Sequence, residues 1–392
     1  MREFLLLVYS LALGRRDTNV TNTRVMALRR EFFPVTQRFA YLNSAAESPL
    51  NALTHARVGD YLFATLDAPH TKPAAVRAEV KQLLAELLGG APEDFALTPS
   101  TCQGLNMVAA GIAWAPGDNV VLPEGEHWSN TFPWLQLAAR GVEVRRVPLA
   151  RDNAVPLEGV AALVDARTRV VAHAHVSFSS GHRADLRRLS EIAHRAGALL
   201  VVDGIQGAGA CPLHLVEDGV DAYAAGGFKW LLGCAGTGFL YVAPSARHRI
   251  APSLPGMFAA GGSLTELAYL PDARRYESGS LAYSLLHGWA AGLRLLKEVG
   301  VAAVFARNMA LTGALLEGLA AKPRVRVVSP VGEAAARSAI VAVTLGSAEE
   351  NGALCDRLLA AGVVVANRGD TVRISPNFFN AEEDVARLLA LL

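Results

Sequence analysis

Little in this 392-residue chain invites a disulfide, a bilayer or a nucleic acid. Cysteine is scarce: Cys102, Cys211, Cys234 and Cys355, with no CxxC pair and no zinc-type spacing. That excludes a disulfide framework and a zinc ribbon, and it fits free thiols in a reducing, cytoplasmic setting. Neither charge sign prevails, with 37 Lys+Arg against 36 Asp+Glu. Without a basic stripe there is no footprint for a nucleic acid, and without an acidic block no disordered tail. There is no internal repeat and no low-complexity tract. The apolar run "FLLLVYSLALG" near the N-terminus is too short to span a bilayer, so no membrane partner is expected. It has the outline of a secretory signal, with Ala12 and Gly14 as small residues near a cleavage point. The downstream chain reads as an enzyme of the cytoplasm instead. Residues 1–25, which end before Met26, are expected to be a disordered extension.

What is present is an apolar majority: 52% of residues are hydrophobic, enough for one large and one small domain. From about residue 75, helix and strand patterns alternate. "AAVRAEVKQLLAELLG" and "DLRRLSEIAHRAGA" have helical periodicity and end at glycine. "GDNVVLP", "VEVRRVPL", "TRVVAHAHVSF", "LLVVDGIQ" and "GTGFLYV" read as strands, "LLVVDG" as one buried on both faces. The pattern predicts an α/β fold with a mainly parallel sheet. After a long helix, "LLHGWAAGLRLLKEVG", the strands "RVRVVSP", "SAIVAVTLG" and "VVVANRGDTVRISPNF" predict a smaller C-terminal α+β unit. The expected division is an N-terminal segment, 26–47, joining the small domain, a large cofactor domain, 48–285, and a small domain, 286–392.

One lysine stands out. Lys229 lies in "AAGGFKWLLG", among small and apolar residues where an unpaired ammonium is costly. Asp203 ends the buried strand "LLVVD", and His127 lies in "PEGEHWSN" after another strand. In parallel α/β sheets, ligands bind at the carboxyl ends of strands. An aspartate, a lysine and a flat ring from three strand ends suit pyridoxal 5'-phosphate. Lysine forms a Schiff base with its aldehyde, aspartate keeps the pyridine nitrogen protonated, and an aromatic side chain covers the ring. The phosphate needs a helix N-terminus, and "TPSTCQGLNMVAAGI" offers Ser100 and Thr101 before a helix expected to begin near Gln103.

"YLNSAAESPL", "VVDGIQ", "FKWLLGCAGTGFLYV", "RRYESGS" and "VRISPNFFN", in this order, resemble the class V aminotransferase group of fold-type I pyridoxal phosphate enzymes. That group includes cysteine desulfurases, selenocysteine lyase, isopenicillin N epimerase-like proteins and kynureninase. The resemblance implies the fold-type I architecture, with a mainly parallel sheet of the seven-stranded type in the large domain. The resemblance implies Lys229 as the Schiff-base lysine and Asp203 as the partner of the pyridine nitrogen. It implies Gln206 on the cofactor's phenolic oxygen, His127 stacked on its ring, and Thr101 and Cys102 at its phosphate. Ser280, in "ESGS", would reach the phosphate of a neighbouring subunit, which implies a homodimer. Arg373 would grip the substrate carboxylate, and Asn43 would border the pocket.

The chain also departs from the desulfurases. They carry a reactive cysteine shortly before the carboxylate-binding arginine, and here that stretch is "VVVANRGDTVR". Gly226 and Phe228 replace a serine and a histidine before the lysine, and Phe178, beside Ser177, stands where desulfurases have asparagine. The resemblance therefore implies an enzyme acting on an α-amino acid through a quinonoid carbanion. β-Elimination of a cysteine-type substrate comes first, then isopenicillin N epimerase-like chemistry, without persulfide formation. Amino-group transfer to a keto acid is the alternative, and a non-catalytic cofactor-binding protein a further one. No GxGxxG supports a dinucleotide enzyme.

Other residues read as structural. His173 and His175 share one face of a strand and lack a third metal ligand, so no metal is expected. Arg183 reads as a bridging residue, and Arg275 and Glu277 as an ion pair shaping a dimer-facing loop.

Overall fold

The computed structural model describes residues 22–67, 73–261, 263 and 265–392. Its centre is a seven-stranded sheet. In chain order its strands are β1 (Phe95–Thr98), β2 (Asn119–Pro123), β3 (Glu143–Val147), β4 (Thr168–Ala174), β5 (Leu199–Asp203), β6 (Ala222–Gly226) and β7 (Gly238–Val242). They lie in the spatial order β1-β7-β6-β5-β4-β2-β3. Only β7 runs antiparallel to its neighbours. β5 and β6 are buried along their whole length, as their unbroken apolar sequences require with helices on both faces.

Helices α1 (Asn22–Phe32), α2 (Ala52–Asp67), α3 (Pro73–Leu88), α4 (Thr101–Gly111), α5 (Leu186–Arg195) and α6 (Tyr283–Val299) belong to this half. α4 approaches β6 closely at Gly104. A Cβ there would sit 2.8 Å from Ala224 Cβ, so only glycine lets the helix end reach the sheet. α7 (Val301–Ala320) leaves α6 at 76°. The turn is made by Gly300 at φ +85°, a left-handed conformation that costs glycine little. Among the described residues no single helix is long and apolar enough to cross a membrane.

The second half is a four-stranded antiparallel sheet of β8 (Arg326–Val327), β9 (Val341–Thr344), β10 (Ala366–Asn367) and β11 (Val372–Ile374), in the order β8-β9-β11-β10. α7, α8 (Ala348–Ala360) and α9 (Glu382–Ala390) supply its remaining core.

Three boundaries differ from the sequence reading. The extension expected over 1–25 ends sooner: α1 begins at Asn22, and Val25 is buried. Residues 1–21, with the signal-like run, lie outside the described residues. The expected small-domain start at 286 falls inside α6, whose Leu286, Trp289, Leu293 and Leu296 pack into the large core. Packing changes sides within α7, between Val304 in the large core and Leu311 in the small one. The joining segment is itself divided. Leu28, Phe32 and Phe33 pack with the large core, whereas Ala40–Tyr41 pairs in parallel with Val363–Val364 of the small half.

Candidate active site

The carboxyl ends of β2, β4, β5 and β6 and the N-terminus of α4 surround a cavity of about 400 Å³. Lys229, Asp203, His127, Gln206, Thr101 and Cys102 all line it. Larger clefts, of about 770 and 620 Å³, hold none of these six. Chemistry, not size, marks the site.

Lys229 follows β6 in a turn and is 9% exposed. Among the described residues its Nζ has no hydrogen bond or ion pair, and it lies 5.7 Å from the centroid of the Phe228 ring. Burial, then the positive charge of Arg373, pushes its pKa well below that of free lysine, while Asp203 pulls the other way. A buried amine of this kind is partly neutral and nucleophilic near pH 7.

Asp203 ends β5 and is 3% exposed. Its Oδ1 accepts from the Ile205 N–H at 3.1 Å. Burial raises its pKa, the Ile205 hydrogen bond opposes the shift, and the nearby Glu126 adds to it. A cation bound in the cavity against Asp203 would reverse that shift.

His127 heads the short turn after β2, and its Nδ1 accepts from the Ser129 N–H at 3.1 Å. Its ring meets Phe178 edge-on, with centroids 5.0 Å apart. Burial, reinforced by Lys229, Arg368 and Arg373, lowers its pKa, so the imidazole is neutral. Gln206 is buried. Its Nε2 donates to Ala45 O at 2.9 Å, and its Oε1 accepts from Trp230 Nε1 at 2.8 Å, leaving one amide N–H for a ligand.

Helix α4 starts two residues before the expected Gln103. Ser100 is its N-cap, with Oγ accepting from the Gln103 N–H at 3.2 Å. Thr101 Oγ1 accepts from the Gly226 N–H at 2.8 Å, which locks the helix end to β6 and leaves the hydroxyl hydrogen available. The first N–H groups of a helix have no intrahelical partner, so this end is ready for an anion. Cys102 is exposed, and its Sγ accepts from Asn106 Nδ2 at 3.4 Å.

A free buried amine, a buried carboxyl and an anion-seeking helix end around one cavity fit pyridoxal phosphate. Lys229 would hold the aldehyde, Asp203 the pyridine nitrogen and the α4 end the phosphate.

Three expected residues are not on the cavity wall. Arg373, in β11, is completely buried. Its Nη1 donates to Phe178 O at 2.8 Å, while Nε and Nη2 have no partner among the described residues. Asn43 forms a backbone bridge with Ser375, and its Oδ1 is buried without a partner among the described residues. Ser280 is exposed, away from the cavity of its own chain.

Two wall residues were missed. Glu126 was overlooked beside His127. Its Oε1 accepts from the Ala174 N–H at 2.8 Å and its Oε2 from Asn130 Nδ2 at 3.0 Å, and burial raises its pKa to about 7. Arg368 was passed over in "VVVANRGDTVR", where a glycine turn next to a site-bearing strand was the available signal.

The expected Arg275–Glu277 pair does not form. Glu277 is buried and is bound instead by Arg77, by Lys81 at 2.8 Å and by the Leu97 N–H at 2.8 Å, because its side chain points inward beneath β1. Arg275 lies over the Tyr269 ring. Arg183 does bridge the two halves: Nε donates to Arg337 O at 3.1 Å, and the guanidinium lies over Phe305. His173 and His175 are buried, and burial lowers them to about 4 and about 3. His175 Nδ1 lies 3.0 Å from Tyr223 Oη. No metal-binding cluster occurs among the described residues.

A family model, Aminotransferase class-V, matches residues 40–388. A probable cysteine desulfurase 2 of Mycobacterium leprae is 31% identical over 343 residues, covering 80% of this chain and 79% of that protein. Among solved structures, the Escherichia coli cysteine desulfurase CsdA superposes with a TM-score of 0.85 at 22% identity, covering 95% of this chain and 98% of that one. A C-DES mutant with glycine covalently linked to its PLP cofactor does so with 0.85 at 23% identity, covering 92% and 98%. At those identities the two structures establish the fold, fold-type I.

Proposed function

The chain belongs to the class V aminotransferase family of pyridoxal phosphate enzymes, and from that premise we propose that it is a lyase that eliminates the β-substituent of an α-amino acid without forming a protein persulfide. The observation that carries the reading is the pairing of Lys229 with a cavity that lacks a loop cysteine. Among the described wall residues Cys102 is the one thiol, and it sits at the α4 end assigned to phosphate.

The cofactor, when bound, supplies an electron sink for the α-carbanion. The chain's residues do the rest. Asp203, made anionic by the cation it faces, holds the pyridine proton. Lys229 would hold the cofactor aldehyde and, with its depressed pKa, would serve as the base for the α-proton when its amine is free. His127 would cover the ring as a neutral imidazole, and Arg373, buried behind the wall with Nε and Nη2 unpartnered among the described residues, would hold the α-carboxylate. Phe178 closes the wall where desulfurases carry a polar residue. A homodimer completed by Ser280 and a cytoplasmic setting belong to the same proposal.

The test is turnover of cysteine and its S-substituted derivatives by the purified enzyme. Pyruvate, ammonia and the free leaving group should appear catalytically, with no sulfur retained on the protein. A persulfide trapped on Cys102 or any other thiol would overturn the reading. One equivalent of keto acid, with no further turnover until a second keto acid is added, would identify amino-group transfer. Inverted substrate without loss of its side chain would identify epimerisation.

A further inference from the structure

We propose that Arg368 reads a second anionic group on the substrate, so that the site takes an amino acid whose side chain ends in a carboxylate or an acid of similar charge. This rests on the amino-acid reading above.

Arg368 lies in the turn between β10 and β11. The turn is held by its own N–H on Thr371 O at 2.8 Å and by the Gly369 N–H on Asn367 Oδ1 at 2.8 Å, with Gly369 at φ +73°. It is exposed and lines the cavity, with the guanidinium 5.6 Å from the centroid of the Phe178 ring. Among the described residues no carboxylate is within ion-pair distance of it. Partial burial lowers its pKa with no anion in opposition. Its charge also disfavours the protonated forms of Lys229, His127 and Arg373.

An account of charge in the cavity leaves this cation over. Asp203 is taken by the pyridine nitrogen and Lys229 by the aldehyde, and the α4 end meets the phosphate. Both oxygens of Glu126 are occupied by Ala174 and Asn130. Two guanidinium groups remain, Arg368 on the wall and Arg373 buried behind it against Phe178 O, and one α-carboxylate satisfies one of them. The two are differently placed. Arg373 is fully buried and holds the Phe178 carbonyl, whereas Arg368 is exposed and lies against the Phe178 ring. Phe178 thus keeps the two cations at opposite ends of one residue, which suits two separate anions on one ligand. A second anion at Arg368 would also relieve its repulsion of Arg373 and Lys229.

The experiment is calorimetric titration of the cofactor-loaded protein with succinate and with butyrate, which match in chain length and differ in the distal charge. Succinate should bind about tenfold tighter or more. Arg368→Gln should bring the two within about threefold of each other, and Arg368→Lys should keep part of the preference. Equal affinities in the wild type, equal weakening of both ligands in Arg368→Gln, or no binding of either would overturn the proposal. No turnover is needed, so a failure of the elimination reading shows separately, in the product assay.

Discussion

Arg373 Nη1 donates to the carbonyl oxygen of Phe178 at 2.8 Å, tying a strand of the small sheet to the segment that leaves β4 of the large one. That bond orients the guanidinium and leaves Nε and Nη2 buried without partners among the described residues. A buried donor pair costs stability unless a ligand meets it, so a carboxylate is the expected occupant. Arg373→Ala should raise KM for amino acids by about a hundredfold or more, with a much smaller change in kcat. Steady-state kinetics check this, with a thermal melt to confirm that the variant is folded. An unchanged KM removes Arg373 from substrate binding.

Lys229 is a buried amine with no partner among the described residues, a cost that only the chemistry explains. Lys229→Met should therefore raise the melting temperature of the cofactor-free protein while abolishing cofactor fixation by borohydride. Mass spectrometry of the reduced protein reads the second effect. A cofactor adduct that survives in the variant would move the covalent role to another residue.

The large sheet and the residues at its strand ends were legible because buried parallel strands leave continuous apolar runs, and Asp203, Lys229 and His127 interrupt or follow them. Arg368 had only a neighbouring glycine turn as a signal, and Glu126 had none. Each is one charged residue in a polar loop, and only tertiary folding shows that the loop faces the cavity and not solvent. Glu277 failed for the opposite reason. Its neighbour Arg275 offered a local partner, whereas the buried partners Arg77 and Lys81 are some 200 residues away on α3. The domain boundary was misplaced because α6 and α7 are both apolar, and composition does not say which core each one enters.

Glu277 joins α3 to β1 through three donors: Arg77, Lys81 and the Leu97 N–H. Its removal strands two buried cations and a strand N–H. Glu277→Ala should destabilise the fold by about 3–5 kcal/mol, measured by urea unfolding. A loss below about 1 kcal/mol would mean that water replaces the carboxylate.

Phe33 anchors the joining segment. Its ring stacks on Phe379 at 4.1 Å and meets Phe378 edge-on at 5.7 Å, with no exposure. Phe33→Ala should cost about 3–5 kcal/mol. Because Phe378 and Phe379 lie just after β11, the same variant should weaken amino-acid binding, through a less ordered Arg373. Unfolding and KM measured together test both effects.

Glu126 gives the cofactor-free protein a pH dependence of defined sign. Its carboxyl has a folded-state pKa of about 7 against an ordinary value of 4.5, because burial disfavours the anion more than Asn130 and Ala174 favour it. The folded state therefore binds more protons than the unfolded state between those two values, and stability falls as pH rises through that window. Full stability is present below about pH 4.5, and the loss is complete somewhat above pH 7, amounting to at most about 3 kcal/mol. Asp203 shifts in the same direction and adds to the slope. Glu126→Gln should flatten the stability profile between pH 5 and 7.5 in the cofactor-free protein. Cofactor binding should flatten it further, because a pyridine proton held at Asp203 restores the anion there. Denaturant titrations at a series of pH values read both slopes. A Glu126→Gln profile as steep as the wild type would place the proton elsewhere.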